Sequence, residues 1–159
     1  QYLSARISIV NIHFICRVNV LRSLIAETYL NSLQLDGVNT ISSGTNVNRD
    51  DPQEKEYFAN TLAVLKRHGI EEFVKAAPEQ LTQDRIDSHH DIIVLMNERV
   101  INEAKNIVAL PDNTQNWNII DIGEGHRADQ THRLTYEEEI YQEIVHKVDE
   151  LVQTTNIAR

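Results

Sequence analysis

The sequence predicts an α/β fold of three layers, α/β/α, around a central four-stranded parallel sheet. Short runs of apolar, often β-branched residues alternate along the chain with longer segments whose apolar residues recur at helical spacing. Strands that alternate with helices favour a parallel sheet with helices on both faces. The chain has 159 residues, of which 41% are hydrophobic, so we expect a single domain over residues 1–159 with a sizeable core.

The first third of the chain predicts two strands that flank a helix. Residues 7–15 are nearly all apolar, as expected for a strand covered on both faces. Residues 22–33 carry apolar side chains at helical spacing and are predicted to form the first helix. The Asp-Gly pair at 36–37 predicts a turn, residues 38–42 a short strand, and residues 43–52 a loop.

The middle of the chain predicts two helices and the third strand. Residues 53–68 have a helical pattern that ends at Gly69, a residue typical of helix C-termini. Residues 82–88 predict a short helix with Thr82 as its N-cap. The apolar run at 91–96 predicts a third, buried strand.

The last third predicts two helices around a fourth strand. Residues 98–105 predict a helix, and the apolar residues 107–110, which a Pro-Asp pair follows, predict the fourth strand. Residues 117–122 predict a short strand or an extended run, and residues 123–131 a polar loop. A long amphipathic helix with an acidic outer face is expected over residues 134–152.

The composition excludes several classes of protein. A net charge of −9 argues against a nucleic-acid partner and against an anionic membrane surface, so an anionic substrate must be attracted by a local site. One cysteine excludes an internal disulfide and a multi-cysteine zinc site, and the seven histidines complete no known ligand spacing. We therefore expect neither a cofactor nor a metal. The single cysteine favours an intracellular protein, no apolar run is long enough to cross a bilayer, and no signal peptide is visible at the start.

The most informative motif is Cys16, followed six residues later by Arg22 and then by Ser23. Ligands of open parallel sheets bind outside the carboxyl ends of the strands, where Cys16 is predicted to lie. Five intervening residues are enough to direct backbone N–H groups at the oxygens of a phosphate, and an arginine can close the ring with two parallel hydrogen bonds. This pattern predicts phosphoryl transfer through a phosphocysteine. The alternative is a buried cysteine that ends a core strand, with Arg22 a solvated helix residue.

Several segments together resemble the low-molecular-weight protein tyrosine phosphatases over nearly the whole chain. They are residues 14–27, 42–45, 65–70, 80–82, 91–96 and 117–121. The resemblance implies a cytoplasmic, monomeric phosphatase that needs no metal and acts on a phosphorylated protein, with phosphotyrosine as the expected residue, or on a small aryl phosphate.

The resemblance also implies a role for each residue of the site. Cys16 would be the nucleophile, Arg22 the phosphate clamp and Ser23 the hydroxyl that stabilises the thiolate. Asn19 would brace the loop. Asp121 would be the general acid that protonates the leaving group and then the base that activates water; otherwise it is a solvated loop aspartate. The expected substrate-binding residues are Arg17, Val18, Asn19, Val20, Leu21 and Arg22.

The chain departs from the family pattern at several positions. Val18 stands where the family has glycine, and we expect it to change the loop backbone or to crowd the anion. Aromatic residues next to the general acid are replaced, which weakens the expected walls around a phenyl ring. The departures are Val18, Leu24 for proline, Glu79 for arginine, Ile122 for proline, and Gly123 and Glu124 for the aromatic pair.

Two further functions stay open. A degenerate phosphatase-like domain could bind a phosphorylated or anionic partner without turnover. Arsenate reduction, which some proteins of this fold perform, passes oxidation through additional cysteines. Because this chain has only Cys16, a reductase would need an external thiol.

Overall fold

The computed structural model describes residues 8–155, and in this range four strands alternate with five α-helices. The strands are β1 (Val10–Cys16), β2 (Val38–Gly44), β3 (Ile92–Leu95) and β4 (Thr114–Asn116). The helices are α1 (Arg22–Ser32), α2 (Pro52–Arg67), α3 (Gln83–Ser88), α4 (Glu98–Lys105) and α5 (Arg133–Thr154). Short 3₁₀ turns cover Glu71–Phe73, Gly125–Arg127 and Gln130–His132.

The four strands form one parallel sheet in the order β2-β1-β3-β4. Cys16 pairs with Gly44 in β2, and Leu95 of β3 pairs with both Ile15 and Asn116. The carboxyl ends of all four strands therefore meet at one edge. The predicted three-layer fold with a four-stranded parallel sheet is confirmed.

Two hydrophobic clusters separate the layers on the two faces of the sheet. Alternate strand residues take part in different clusters, since Phe14 and Val94 lie in one while Ile15 and Leu95 lie in the other. The larger cluster joins the sheet to α1, α2 and α5, and the smaller joins it to α3 and α4. This alternation is the period of two that a pleated strand imposes.

The helix ends agree with the sequence signals to within one or two residues. Asp51 caps α2 by accepting a hydrogen bond from the Gln53 N–H at 2.9 Å, and Gly69, with φ of 73°, follows its end. Thr82 caps α3 through a bond from the Arg85 N–H, as predicted. The first strand runs to Cys16, and the predicted start at residue 7 lies outside the described residues. No helix within residues 8–155 is long and apolar enough to cross a membrane.

The predicted fourth strand at residues 107–110 is wrong. Ile107 and Val108 continue from α4 in a turn, with both N–H groups bonded to the Ala104 carbonyl, and the Ala109 N–H donates to the Gln83 side chain of α3. The buried side chain of Val108 packs in the smaller cluster. The strand that pairs with β3 is instead β4, whose polar side chains suit an edge position but give no apolar pattern.

Residues 117–122 form no regular strand but extend the bonding to β3. The Trp117 N–H donates to the Leu95 carbonyl at 3.1 Å and the Ile119 N–H to the Met96 carbonyl at 2.8 Å. Asn118 between them has φ of 53°, in the left-handed region, which interrupts the strand geometry. The chain thereby carries Asp121 to the edge where Cys16 lies. The predicted polar loop at 123–131 contains the 3₁₀ turn Gly125–Arg127 and overlaps the turn Gln130–His132.

Candidate active site

Cys16 lies at the carboxyl end of β1 and lines a cavity of about 480 Å³. Cys16 is only 2% exposed. Its Sγ lies 2.8 Å from the Ser23 Oγ and accepts a hydrogen bond from the Asn19 N–H at 3.3 Å. Two donors are therefore placed to stabilise a negative charge on sulfur.

The loop between Cys16 and α1 is fixed from the side of β2. The Thr45 N–H donates to the Cys16 carbonyl at 3.1 Å, and the Asn46 N–H donates to the Arg17 carbonyl at 2.8 Å. A Cβ atom at Gly44 would lie 2.7 Å from that Arg17 carbonyl oxygen and 2.9 Å from the Asn19 nitrogen. Only a glycine at this position lets the strand approach the loop so closely.

The Asn19 side chain is buried at the centre of the loop. Its Nδ2 donates to Ser23 Oγ at 2.7 Å and to Ser42 Oγ at 2.9 Å, and its Oδ1 accepts from the Glu79 N–H at 2.9 Å. Asn19 also has φ of 60°, a left-handed conformation that asparagine tolerates better than most residues. The loop therefore makes its sharp turn at Asn19.

Val18, the β-branched residue at a family glycine position, lies on ordinary backbone. Within residues 8–155 the non-glycine residues with left-handed φ are Asn19, Gln34 and Asn118. Val18 therefore fits the loop without the expected change of backbone. Its half-buried side chain lines the cavity. Val20 and Leu21 are buried, and the Val20 carbonyl accepts a bond from the hydroxyl of Thr61.

Arg22 begins α1 with a buried side chain that joins the loop to Asp121. Its Nη1 donates to the Ile119 carbonyl at 3.0 Å and its Nη2 donates to Asp121 Oδ2 at 3.1 Å. The other carboxylate oxygen of Asp121 accepts from the Ile122 N–H at 2.8 Å. Residues 99 positions apart in the sequence are thereby placed side by side at the cavity.

Arg17 also lines the cavity, and its side chain pairs with Glu103 of α4, with Nε 3.0 Å from Oε2. The second oxygen of Glu103 accepts from the Thr45 hydroxyl at 2.7 Å. Burial disfavours the charge on Glu103, but the bonds from Thr45 and Arg17 outweigh it and lower the pKa of this carboxyl. The sequence gives no local signal for Glu103, which is 86 residues from Arg17.

A partly buried polar network joins α3 to the loop. Arg85 of α3 donates to Ser43 Oγ at 2.8 Å, to the Ser42 carbonyl at 2.8 Å and to Glu79 Oε2 at 2.7 Å. Since the Glu79 backbone also holds Asn19, the network supports the loop. Glu79, which stands where the family has arginine, pairs with two cations, Arg85 at 2.7 Å and Lys75 at 3.4 Å.

His13 of β1 lies at the end of this network. From its burial we predict that the protein loses stability in acid. Its Nε2 lies 2.7 Å from Ser43 Oγ, and burial, followed by the positive charges of Arg85, His89 and Lys75, lowers its pKa from 6.5 to about 3. Below pH 6.5 His13 is therefore protonated in the unfolded chain but remains neutral in the folded chain. Because protonation favours the unfolded chain, the free energy of unfolding decreases as the pH falls.

We expect the free energy of unfolding to fall by about 2 kcal/mol from this residue between about pH 7 and about pH 5. Urea titrations of the wild type and of His13→Gln measure it, and the variant should have a flatter pH dependence. His146→Gln, which alters a side chain that is 75% exposed, is the matched control and should keep the wild-type slope. Equal slopes in all three proteins would contradict the prediction.

The cavity walls are mainly polar. Tyr57 of α2 supplies an aromatic ring, but the Arg133 guanidinium lies over its face, 3.5 Å from the ring centroid. Gly123 and Glu124 line the opposite side, where the family pattern predicts aromatic residues. Tyr57 and Arg133 were not identified from the sequence, because neither stands near the cysteine motif. No group of three metal-ligating side chains occurs within the described part of the chain.

One family model matches the chain, over residues 11–156, and describes the low molecular weight phosphotyrosine protein phosphatases. No curated protein matches the chain by sequence.

Solved structures of similar fold are numerous. A low molecular weight phosphotyrosine phosphatase from Vibrio cholerae is 19% identical, with a TM-score of 0.67 over 92% of this chain and 97% of that one. A low molecular weight protein tyrosine phosphatase from Streptococcus pyogenes is 19% identical, with a TM-score of 0.71 over 92% and 93%. A thioredoxin-dependent arsenate reductase from Corynebacterium glutamicum is 21% identical, with a TM-score of 0.63 over 96% of this chain and 64% of that one.

Proposed function

The chain belongs to the low molecular weight phosphotyrosine protein phosphatase family, and on that premise we propose that it hydrolyses phosphomonoesters through a phosphocysteine on Cys16. The proposed substrates are phosphotyrosine in proteins and small aryl phosphates. The observation that carries this proposal is the meeting of Cys16, Arg22 and Asp121 at one cavity.

In the first step the Cys16 thiolate attacks phosphorus. The S–P bond forms as the bond from phosphorus to the ester oxygen breaks, and the Asp121 carboxyl gives its proton to that oxygen. Arg22 and the N–H groups of residues 17–22 bind the phosphoryl oxygens, whose charge they offset. The support is that the Arg22 guanidinium already contacts the Asp121 carboxylate, so the acid lies next to the proposed phosphate position.

In the second step water hydrolyses the phosphocysteine. The Asp121 carboxylate takes a proton from the water as its oxygen attacks phosphorus, and the S–P bond breaks to give inorganic phosphate and the thiolate. The Ser23 hydroxyl, 2.8 Å from Sγ, would donate to the departing sulfur. Because the reaction needs a reduced thiol, we propose a cytoplasmic location, and we propose that the enzyme acts as a monomer.

Phosphate release from p-nitrophenyl phosphate by the reduced protein at about pH 5–6 tests the proposed function. A phosphotyrosine peptide and its phosphoserine counterpart, compared by kcat/KM, test the substrate class. A folded, reduced protein that releases no phosphate would contradict the proposed hydrolysis. The binding function, which isothermal titration with vanadate would detect, and arsenate reduction would then remain.

Arsenate reduction is the second candidate, supported by the fold shared with the arsenate reductase and by a single thiol that lines the polar cavity. Reduction of As(V) to As(III) takes two electrons. Cys16 and one external thiol would supply them and end as a mixed disulfide. Arsenate-dependent consumption of a small thiol, measured beside phosphate release, separates the two reactions.

A further inference from the structure

Arg127 is a charged residue that is only 1% exposed, in the 3₁₀ turn Gly125–Arg127 just after Asp121. Burying a guanidinium is costly unless its charge and its donors find partners. The proposed chemistry does not use Arg127, so its burial requires a separate explanation.

Arg127 is hydrogen-bonded to the backbone on both sides of Asp121 in the sequence. Its Nη1 donates to the Ile120 carbonyl at 2.7 Å, and its own carbonyl accepts from the Gly123 N–H at 2.8 Å. Asp121 is thus enclosed in a short loop whose two sides are both bonded to Arg127.

The same guanidinium fastens this loop to the last helix. Its Nη2 donates to Glu139 Oε1 at 3.3 Å and also to Glu143, both on α5. On the opposite side Arg22 holds the Ile119 carbonyl. The backbone around Asp121 is therefore held at Ile119 by one arginine and at Ile120 by another, although the loop contains glycines at positions 123 and 125.

We propose that Arg127 is a positioning residue that sets the distance from the Asp121 carboxyl to the leaving oxygen. The inference rests on the proposed function. In the step concerned the Asp121 proton moves to the ester oxygen as the S–P bond forms and the P–O bond breaks. A carboxyl displaced by about 1 Å transfers its proton poorly, a loss of about 10²-fold at most. The loss should appear only where the leaving group needs that proton.

The test compares Arg127→Met with the wild type on two substrates. Phenyl phosphate has a strongly basic leaving group, whereas 2,4-dinitrophenyl phosphate releases a stable anion without a proton. The value of kcat/KM covers every step up to departure of the leaving group and is therefore the constant to compare. We expect a loss of about tenfold to 10²-fold on phenyl phosphate and of less than about threefold on the dinitrophenyl ester.

Arg67→Met, on α2 and outside the cavity, is the matched control and should change neither substrate. Inhibition by vanadate should also be unchanged in Arg127→Met, because this arginine does not touch the Cys16 loop. If Arg127→Met does not fold, Glu143→Gln removes the charge of one partly exposed anchor, which weakens its bond to Arg127 and should give a smaller loss with the same selectivity.

An equal loss on both substrates, or none, would overturn the positioning role and leave the proposed function standing. If Arg127→Met does not fold, then equal kcat/KM values of Glu143→Gln and the wild type on both substrates would likewise overturn the positioning role. A folded wild-type protein that hydrolyses neither substrate would overturn the proposed function and this inference together.

Discussion

Cys16→Ser is expected to lower phosphate release by at least about 10⁴-fold while inorganic phosphate still binds. A serine hydroxyl at this position is a far weaker nucleophile than a thiolate, and no base lies within hydrogen-bond distance of Sγ among the described residues. The N–H donors of the loop and the Arg22 side chain stay in place, so the anion site is kept. Steady-state turnover and isothermal titration of the same preparation measure the two effects.

A chemical control is available because the chain contains one cysteine. Cys16 is the only thiol that iodoacetate can alkylate, so one carboxymethyl group on this sulfur should abolish activity, and bound vanadate should protect against it. Turnover that survives either the substitution or the alkylation would show that phosphate release does not pass through Cys16.

Arg22→Lys is expected to lower kcat/KM by about 10³-fold and to weaken the binding of vanadate and phosphate. Lysine keeps the positive charge but not the planar fork, whose Nη1 and Nη2 donate to Ile119 and Asp121. The substitution would therefore weaken transition-state binding and also disturb the placement of the general acid.

The two variants together distinguish chemistry from binding. Arg67→Lys, a conservative change on α2 outside the cavity, should retain wild-type kinetics. Thermal unfolding would show whether Arg22→Lys remains folded, since Arg22 is buried. Vanadate binding as tight in Arg22→Lys as in the wild type would contradict the role of the guanidinium as a phosphate clamp.

The strands and helices that form the core were predictable because burial imposes a local period. The run that ends at Cys16 and the run that ends at Met96 are apolar because helices cover both faces of the sheet there. The edge strand β4 was not predictable, because a strand at the edge can be polar and depends on hydrogen bonds to β3. The apolar residues 107–110 are buried in part against α3 and α4 and lack those bonds.

By itself the sequence determined the strand, loop and helix that bring Cys16, Arg22 and Ser23 together. A separation of only six or seven residues between the end of a strand and the start of a helix allows few conformations of the loop between them. The resemblance already implied that Asp121 belongs to the site, but the tertiary structure decided which distant groups contact this loop: Asp121 on Arg22, Glu79 on Asn19, and Glu103 on Arg17. Such contacts depend on which strands become neighbours and on the register of their pairing. Local periodicity contains no information on either, because it reports only which face of each element is buried.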